Sequence, residues 1–391
     1  MAPGTFDLLD PYPEIREAVR KVCARFDDDY WARCDREKRL AVEFFQAMRD
    51  DGWLGITYPE SLGGTGLPFG AAATMMQAVA ESGGGWTATT SIHNYLFGPH
   101  AIVVHGTPEQ KQRMLAPLLS GTERPCFALT EANTGLDTTR VKTRAERRGD
   151  TYYITGEKVW ITGADIADRM MILARTTPIE ETPRPVDGLS LFFAKVDRRY
   201  VEIRPIPKHG VETVSSCVVM LDALPVPAQD RIGEEGKGFR YLLDSLNPER
   251  IMVAAEAVGM GRAALSRAAR YAAERVVFDR PIGQNQAVQH PLARNWMELE
   301  AANMMVYKAA ALYERDLPCA AEANTAKFLA AEAAHSACRQ AMLTHGGFGY
   351  AREYHVERLM RESMLPMIAP LAQNMALSYV AERVLHLPKS Y

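Results

Sequence analysis

The stretch ERIMVAAEAVGMGRAALSRAARYAAERVVF, residues 249–278, leaves this chain least freedom in what it can fold into. Its first half is apolar nearly all round a helical projection, so as a helix it has to be enclosed by other helices and cannot lie on a surface. From Phe239 to the end the text stays rich in Ala, Leu, Met and Glu, which predicts three or four long helices packed closely through small side chains. The C-terminal part therefore reads as a bundle around one central helix.

Two other textures precede it. From Tyr12 to about Ser120 the pattern is helical, broken at GWLGITYPESLGGTGLPFG and at ESGGG. In EKRLAVEFFQAMRDDG, Leu40, Phe44, Phe45 and Met48 recur at helical spacing. Between about Pro125 and Gly236 come five runs rich in Val, Ile, Thr, Tyr and Phe: TYYITGEKVWITGA, MMILAR, LSLFFAKV, VEIRPI and SSCVVMLDAL. Turn signals separate them and no long helical pattern intervenes, which suits an antiparallel sandwich or barrel better than βαβ units. The expected class is α+β multidomain: a helical domain over 1–124, an antiparallel β-domain over 125–236 and a helical bundle over 237–391.

Charge narrows the functional classes. With 45 basic against 48 acidic side chains in 391 residues, the net charge is −3. That gives no electrostatic footprint for nucleic acid or an anionic membrane. Charges, Gly or Pro interrupt every apolar run before the roughly 20 residues of a membrane span, and the N-terminal text has no secretory pattern. The expectation is a cytoplasmic protein with no membrane or nucleic-acid partner. Cys23, Cys34, Cys126, Cys217, Cys319 and Cys338 form no CxxC pair, so they read as reduced, buried thiols and no metal site is expected. His290, His335 and His345 lie among apolar neighbours and read as structural.

Generic searches for GxGxxG after a strand, GxxxxGK[ST], GxSxG and HExxH find nothing. The informative strings are YPESLGGTG (58–66), FALTEANTGLD (127–137), KVWITGA (158–164), ERVVFDRPIGQNQ (274–286) and HGGFGYAREYHVERLMRES (345–363). In this order and spacing the chain resembles the acyl-CoA dehydrogenase family over essentially its whole length. The resemblance implies a C-terminal four-helix bundle, FAD between the β-domain and the bundle, and a homotetramer. It implies Trp160 against the flavin, Thr162 by the reducible ring nitrogen with Ile161 between them, and Leu129 and Thr130 at the pyrimidine edge. From a neighbouring subunit it implies Arg275 on the pyrophosphate, Phe278 beside it, Gln286 near the adenosine half, and Gly346 and Gly347 where the backbone approaches. Two positions depart from the family pattern: Leu343 stands where a glutamine is usual, and Asp279 replaces a glycine.

Dehydrogenating an acyl thioester needs a carboxylate in a dry pocket, where desolvation raises its proton affinity. In most of the family a C-terminal glutamate serves, and the matching position here is Pro370, which also lacks the N–H that helps polarise the thioester carbonyl. Either the flavin ribityl hydroxyl and another donor take that role, or the loop is shifted by a residue and Ala369 or Leu371 supplies the amide. A subset including isovaleryl-CoA and long-chain acyl-CoA dehydrogenases carries the base on an earlier helix, directly before an arginine. SLNPERIMVAAEAVG (245–259) resembles that subset, which points to Glu249 as base and Arg250 as the family arginine. A Glu-Arg pair is ordinarily a solvated surface pair, but Ile251–Ala255 follow at once. In the family's CoA-binding string Leu136 replaces a serine and Asp137 is kept, so both are expected near CoA. The resemblance thus implies oxidation of an acyl-CoA to the trans-2-enoyl-CoA, in β-oxidation of fatty acids, with electrons passed to an electron-transferring flavoprotein. The rival readings are an oxygen-reactive oxidase or monooxygenase on the same fold, and an inactive flavin- or CoA-binding scaffold.

Overall fold

The computed structural model describes residues 10–390. Seven helices come first: α1 (Pro13–Cys23), α2 (Asp28–Glu37), α3 (Val42–Asp50), α4 (Phe69–Val79), α5 (Gly85–Phe97), α6 (His100–His105) and α7 (Pro108–Leu119). Local chemistry sets their ends. The Asp27 side chain accepts from Tyr30 N–H at the start of α2, and Thr107 and Gln110 form a reciprocal capping box on α7. The helix expected across Leu40 is interrupted: Lys38 takes a left-handed conformation (φ 52°) that ends α2, and Leu40 lies in the break before α3. Phe44, Phe45 and Met48 are all buried in one core, Phe44 against Trp31 and Phe45 against Tyr95.

The middle of the chain is one hydrogen-bonded network of eight strands folded around a shared apolar core. Its strands are β1 (Pro125–Ala128), β2 (Arg144–Arg148), β3 (Thr151–Thr162), β4 (Arg169–Arg175), β5 (Leu189–Lys195), β6 (Val201–Pro205), β7 (Ser216–Pro227) and β8 (Arg231–Ile232). The order is β6-β7-β3-β2-β4-β5-β8, with β1 beside β4. Most pairs are antiparallel, but β1 runs parallel to β4 with Phe127 opposite Met171, and β2 meets β4 in parallel at Arg144, so the sheet is mixed. Along β4, Met170, Ile172 and Ala174 enter the β-core while Met171 and Leu173 enter the helical core. A strand covered on both faces reads as an unbroken apolar run, which is how MMILAR reads.

Three long helices follow: α8 (Gly238–Glu274), α9 (Gln286–Glu314) and α10 (Ala320–His345). Then come α11 (Val356–Glu362), α12 (Leu365–Ile368) and α13 (Gln373–Arg383), the last of these against α10. As its sequence requires, α8 is central, buried from Ile251 through Gly261. Small residues let its neighbours approach: a Cβ on Gly259 would lie 2.2 Å from the Gln77 carbonyl oxygen of α4, and one on Gly261 2.6 Å from Leu299 of α9. The helix stops at Glu274, four residues before the end of its apolar text. Residues Val276–Val277 (β9) and Arg280–Pro281 (β10) form a hairpin whose turn residues Phe278 and Asp279 both have positive φ, 52° and 61°. That turn geometry favours Gly, Asn or Asp, which accounts for Asp279 in the glycine's place.

Candidate active site

The first group of candidate residues gathers where β3 ends. The pairing of β3 with β7 slips between Lys158 and Ile161, and in this bulge Trp160 has φ 63° and a 58% exposed side chain, while Ile161 is buried. The loop after β1 is fastened to the bulge: Val159 N–H donates to the Thr130 carbonyl (3.0 Å), and the Thr130 hydroxyl to the Val159 carbonyl (2.6 Å). Beneath it, fully buried Lys158 donates to the Leu129 carbonyl and to Glu131, each at 3.0 Å. Burial pushes the Lys158 ammonium down to about 8 against the pull of Glu131. Glu131 also accepts from the Lys142 and Thr143 amides. The Thr162 carbonyl accepts from Asn94 of α5 at 3.2 Å. Leu129, Thr130, Trp160, Ile161 and Thr162 are thus neighbours. An exposed indole beside a fixed backbone edge fits an isoalloxazine ring, which needs an apolar wall and oriented polar groups.

A second group lies at the end of the bundle. The Arg275 guanidinium sits 5.7 Å from the centroid of the Phe348 ring, which joins the hairpin segment to the glycine-rich turn after α10. Phe278 is 93% exposed at the hairpin tip, and Gln286 opens α9 on an exposed face. Gly346 has φ 60°, and a Cβ on either Gly346 or Gly347 would meet nothing within 4 Å. The backbone there is open to close approach, and Arg275 is the cation a pyrophosphate would need. Leu343, 57% exposed, lies on the last turn of α10.

The third group surrounds Glu249. Glu249 is half-buried on α8. Burial pushes its carboxyl up to about 7, tempered by the charges of His93 and Arg250. Arg250 is half-buried as well and donates to Asn247 at 3.0 Å. His93, on α5, is 2.7 Å through Nδ1 from Glu256 Oε1, two helical turns beyond Glu249 on α8. Neither His93 nor Glu256 carries a sequence motif. Glu256 hides in an AAEA text, and its only signal is a spacing of seven from Glu249.

α5 itself is held from far along the chain. Buried Glu362 of α11 accepts from the Trp86 and Thr87 amides (2.7 and 3.2 Å) and from the Thr87 hydroxyl (2.7 Å), which satisfies the helix N-terminus. Arg358 binds Glu362 at 2.9 Å and donates to the Gly83 and Gly84 carbonyls. The ESGGG break makes room for this: Gly85 has φ 56°, and a Cβ there would lie 2.6 Å from Glu362.

At Pro370 no backbone donor exists. The following carbonyl, Leu371, accepts from the buried Lys327 ammonium of α10, which also holds Gln373 at 2.8 Å. Leu136 is 53% exposed, and Asp137 is occupied by Thr139 (2.5 Å) and Arg140 (3.1 Å) in a surface loop. No bond ties this pair to the Glu249 group among the described residues.

Comparison with known proteins identifies the family. Models of the acyl-CoA dehydrogenase N-terminal, middle and C-terminal domains match residues 12–122, 126–224 and 236–385. The chain belongs to the acyl-CoA dehydrogenase family. It is 35% identical to acyl-CoA dehydrogenase FadE12 of Mycobacterium tuberculosis over 379 residues, 96% of each chain. It is also 35% identical to the probable acyl-CoA dehydrogenase YngJ of Bacillus subtilis over 381 residues, 97% of this chain and 99% of that one. Among solved structures, butyryl-CoA dehydrogenase from Megasphaera elsdenii superposes with a TM-score of 0.89 at 28% identity, covering 95% of this chain and 98% of that one. Acyl-CoA dehydrogenases are flavin-dependent oxidoreductases acting on acyl-CoA.

Proposed function

We propose that this protein oxidises an acyl-CoA thioester to the trans-2-enoyl-CoA, with Glu249 as the base that removes the α-proton. The observation that carries the reading is the Glu249 carboxyl itself: half-buried on α8, within reach of the charge of His93 and raised by burial to about 7, it is matched to proton transfer at neutral pH. A carboxylate with the ordinary value would be a much weaker base. Bound FAD supplies the acceptor for the hydride that leaves the β-carbon as the α-proton passes to Glu249.

The other roles follow from chemistry and from the family. Trp160 walls one face of the flavin, Ile161 and Thr162 border its reactive edge, and Leu129 and Thr130 border the pyrimidine edge. Arg275, Phe278, Gln286, Gly346 and Gly347 receive the dinucleotide half of a neighbouring subunit's FAD in a homotetramer. Arg250, Leu136 and Asp137 belong to the acyl-CoA side, and the amide of Ala369 or Leu371 replaces the N–H missing at Pro370. The domains divide at 1–124, 125–236 and 237–391. A cytoplasmic enzyme of fatty-acid β-oxidation, with an electron-transferring flavoprotein as its acceptor, completes the reading. No helix among the described residues is long and apolar enough to cross a membrane.

The test is anaerobic mixing of the FAD-loaded protein with a panel of saturated acyl-CoAs while flavin absorbance is followed. Rapid bleaching is expected, slowed on the order of 10²–10⁴-fold by Glu249→Gln with FAD retained. Absence of bleaching with every acyl-CoA would overturn the dehydrogenase reading. Bleaching by the variant at the parent's rate would overturn the base.

A further inference from the structure

The pair formed by His93 and Glu256 has no part in the roles above, yet it is among the most enclosed polar pairs in the molecule. Glu256 is wholly buried, with Oε1 at 2.7 Å from His93 Nδ1 and Oε2 without a partner. Burying a carboxylate in the Ala- and Met-rich centre of α8 is costly unless a cation accompanies it. The spacing of seven residues puts Glu256 on the same face of α8 as Glu249, about 10 Å along the axis. His93 reaches that face from α5, whose N-terminus is clamped by Glu362.

We propose that the His93–Glu256 pair is a positioning element of the proton-abstraction site: an oriented dipole whose histidine end acts on Glu249 and keeps that carboxylate ionised and ready to accept a proton. The inference rests on Glu249 being the base. The groups that act on Glu249 are His93 from α5 and Arg250 and Glu256 from α8, and the effect of His93 outweighs that of the more remote Glu256. Beyond Arg250, α10 contributes the buried Lys327, which the charge of Arg250 lowers, while Tyr379 of α13 and Cys319 act on Arg250. Burial works against a charge on His93, but the charge and hydrogen bond of Glu256, with the charge of Glu249, lift it net above the ordinary histidine value. Glu256 is itself raised by burial, so proton affinity is raised on both sides of this hydrogen bond.

Removing either partner abolishes the dipole. In His93→Gln the favourable charge beside Glu249 is gone. In Glu256→Gln the histidine loses the anion that favours its protonation, while the small opposing effect of Glu256 disappears as well. Both changes move Glu249 towards its protonated form, His93→Gln by more.

The experiment is the pH dependence of anaerobic flavin bleaching by a reactive acyl-CoA, measured on the FAD-loaded parent, His93→Gln, Glu256→Gln and Glu249→Gln proteins. FAD content and thermal unfolding are recorded for each. The parent rate is expected to rise with pH through about 7. In His93→Gln the rise moves up by about one pH unit, an approximately tenfold slowing at pH 6 that recovers above pH 9. In Glu256→Gln it moves the same way by less. Rises at unchanged pH in both variants, or a loss of FAD and stability with the midpoint unmoved, would overturn the proposal by making the pair merely structural. If one variant fails to fold, the other decides by its midpoint. A Glu249→Gln protein that bleaches at the parent's rate would show instead that the base itself is misassigned, and the inference would fall with it.

Discussion

Glu249 links the chemistry of the site to the stability of the fold. Its carboxyl is held near 7 against an ordinary value of 4.5, chiefly by burial, so the folded state binds its proton more tightly than the unfolded chain does. The stability this contributes is present in full below about pH 4.5 and is lost as pH rises through about 7. Glu249→Gln removes the loss. Denaturant unfolding should therefore find the variant more stable than the parent at pH 8, by up to about 3 kcal/mol, with the difference vanishing near pH 4.5. A variant no more stable at pH 8 would mean that the carboxyl is hydrated. At this scale the roles proposed for Glu249 and Trp160 come from the sequence, because each sits in a short string whose neighbours define its setting. The His93–Glu256 bond joins residues 163 apart, and only the packing of α5 on α8 creates it.

α5 is the element on which the site depends, since it carries both His93 and Asn94. Glu362 satisfies its first amides and is paired with Arg358, both side chains being almost fully buried. Breaking such a pair from one side leaves an unpartnered buried charge, at a cost of about 3–5 kcal/mol. Glu362→Ala should lower stability by that amount, and hydrogen exchange should accelerate in α5 before it does in α9. Equal acceleration in the two helices would argue against a local clamp. The ESGGG break announced a helix end, but nothing nearby announced a carboxylate arriving from α11. The strands show the same division. β3–β7 carry long apolar runs and were legible. β1 and β8 are too short to carry a pattern, and β2, RAERR, buries only Ala145. Sheet order and the parallel β1–β4 pairing depend on which strands meet at long range, which no local pattern encodes.

For the whole molecule, the largest exposed apolar side chains gather on the C-terminal helices and their connections: Phe278 (93%), Tyr350 (86%), Met304 (69%) and Met297 (63%). Exposed apolar surface of this kind marks association. The proposed homotetramer predicts a solution mass near four times 43.4 kDa by light scattering, and Phe278→Asp should lower both that mass and the FAD content. A monomer that retains FAD in full would contradict the shared site. The order of helices, sheet and bundle was legible because an enclosed helix, alternating strands and amphipathic helices leave distinct periods. How the β3 bulge, the hairpin and Glu249 are placed relative to one another was not, because that depends on contacts between distant elements. The most direct test of the central claim is exchange of the acyl-CoA α-proton with deuterium from anaerobic D₂O, followed by NMR in the FAD-loaded parent and Glu249→Gln proteins. The account predicts exchange in the parent and a loss on the order of 10²–10⁴-fold in the variant with FAD still bound. Exchange at the parent's rate in the variant would contradict it.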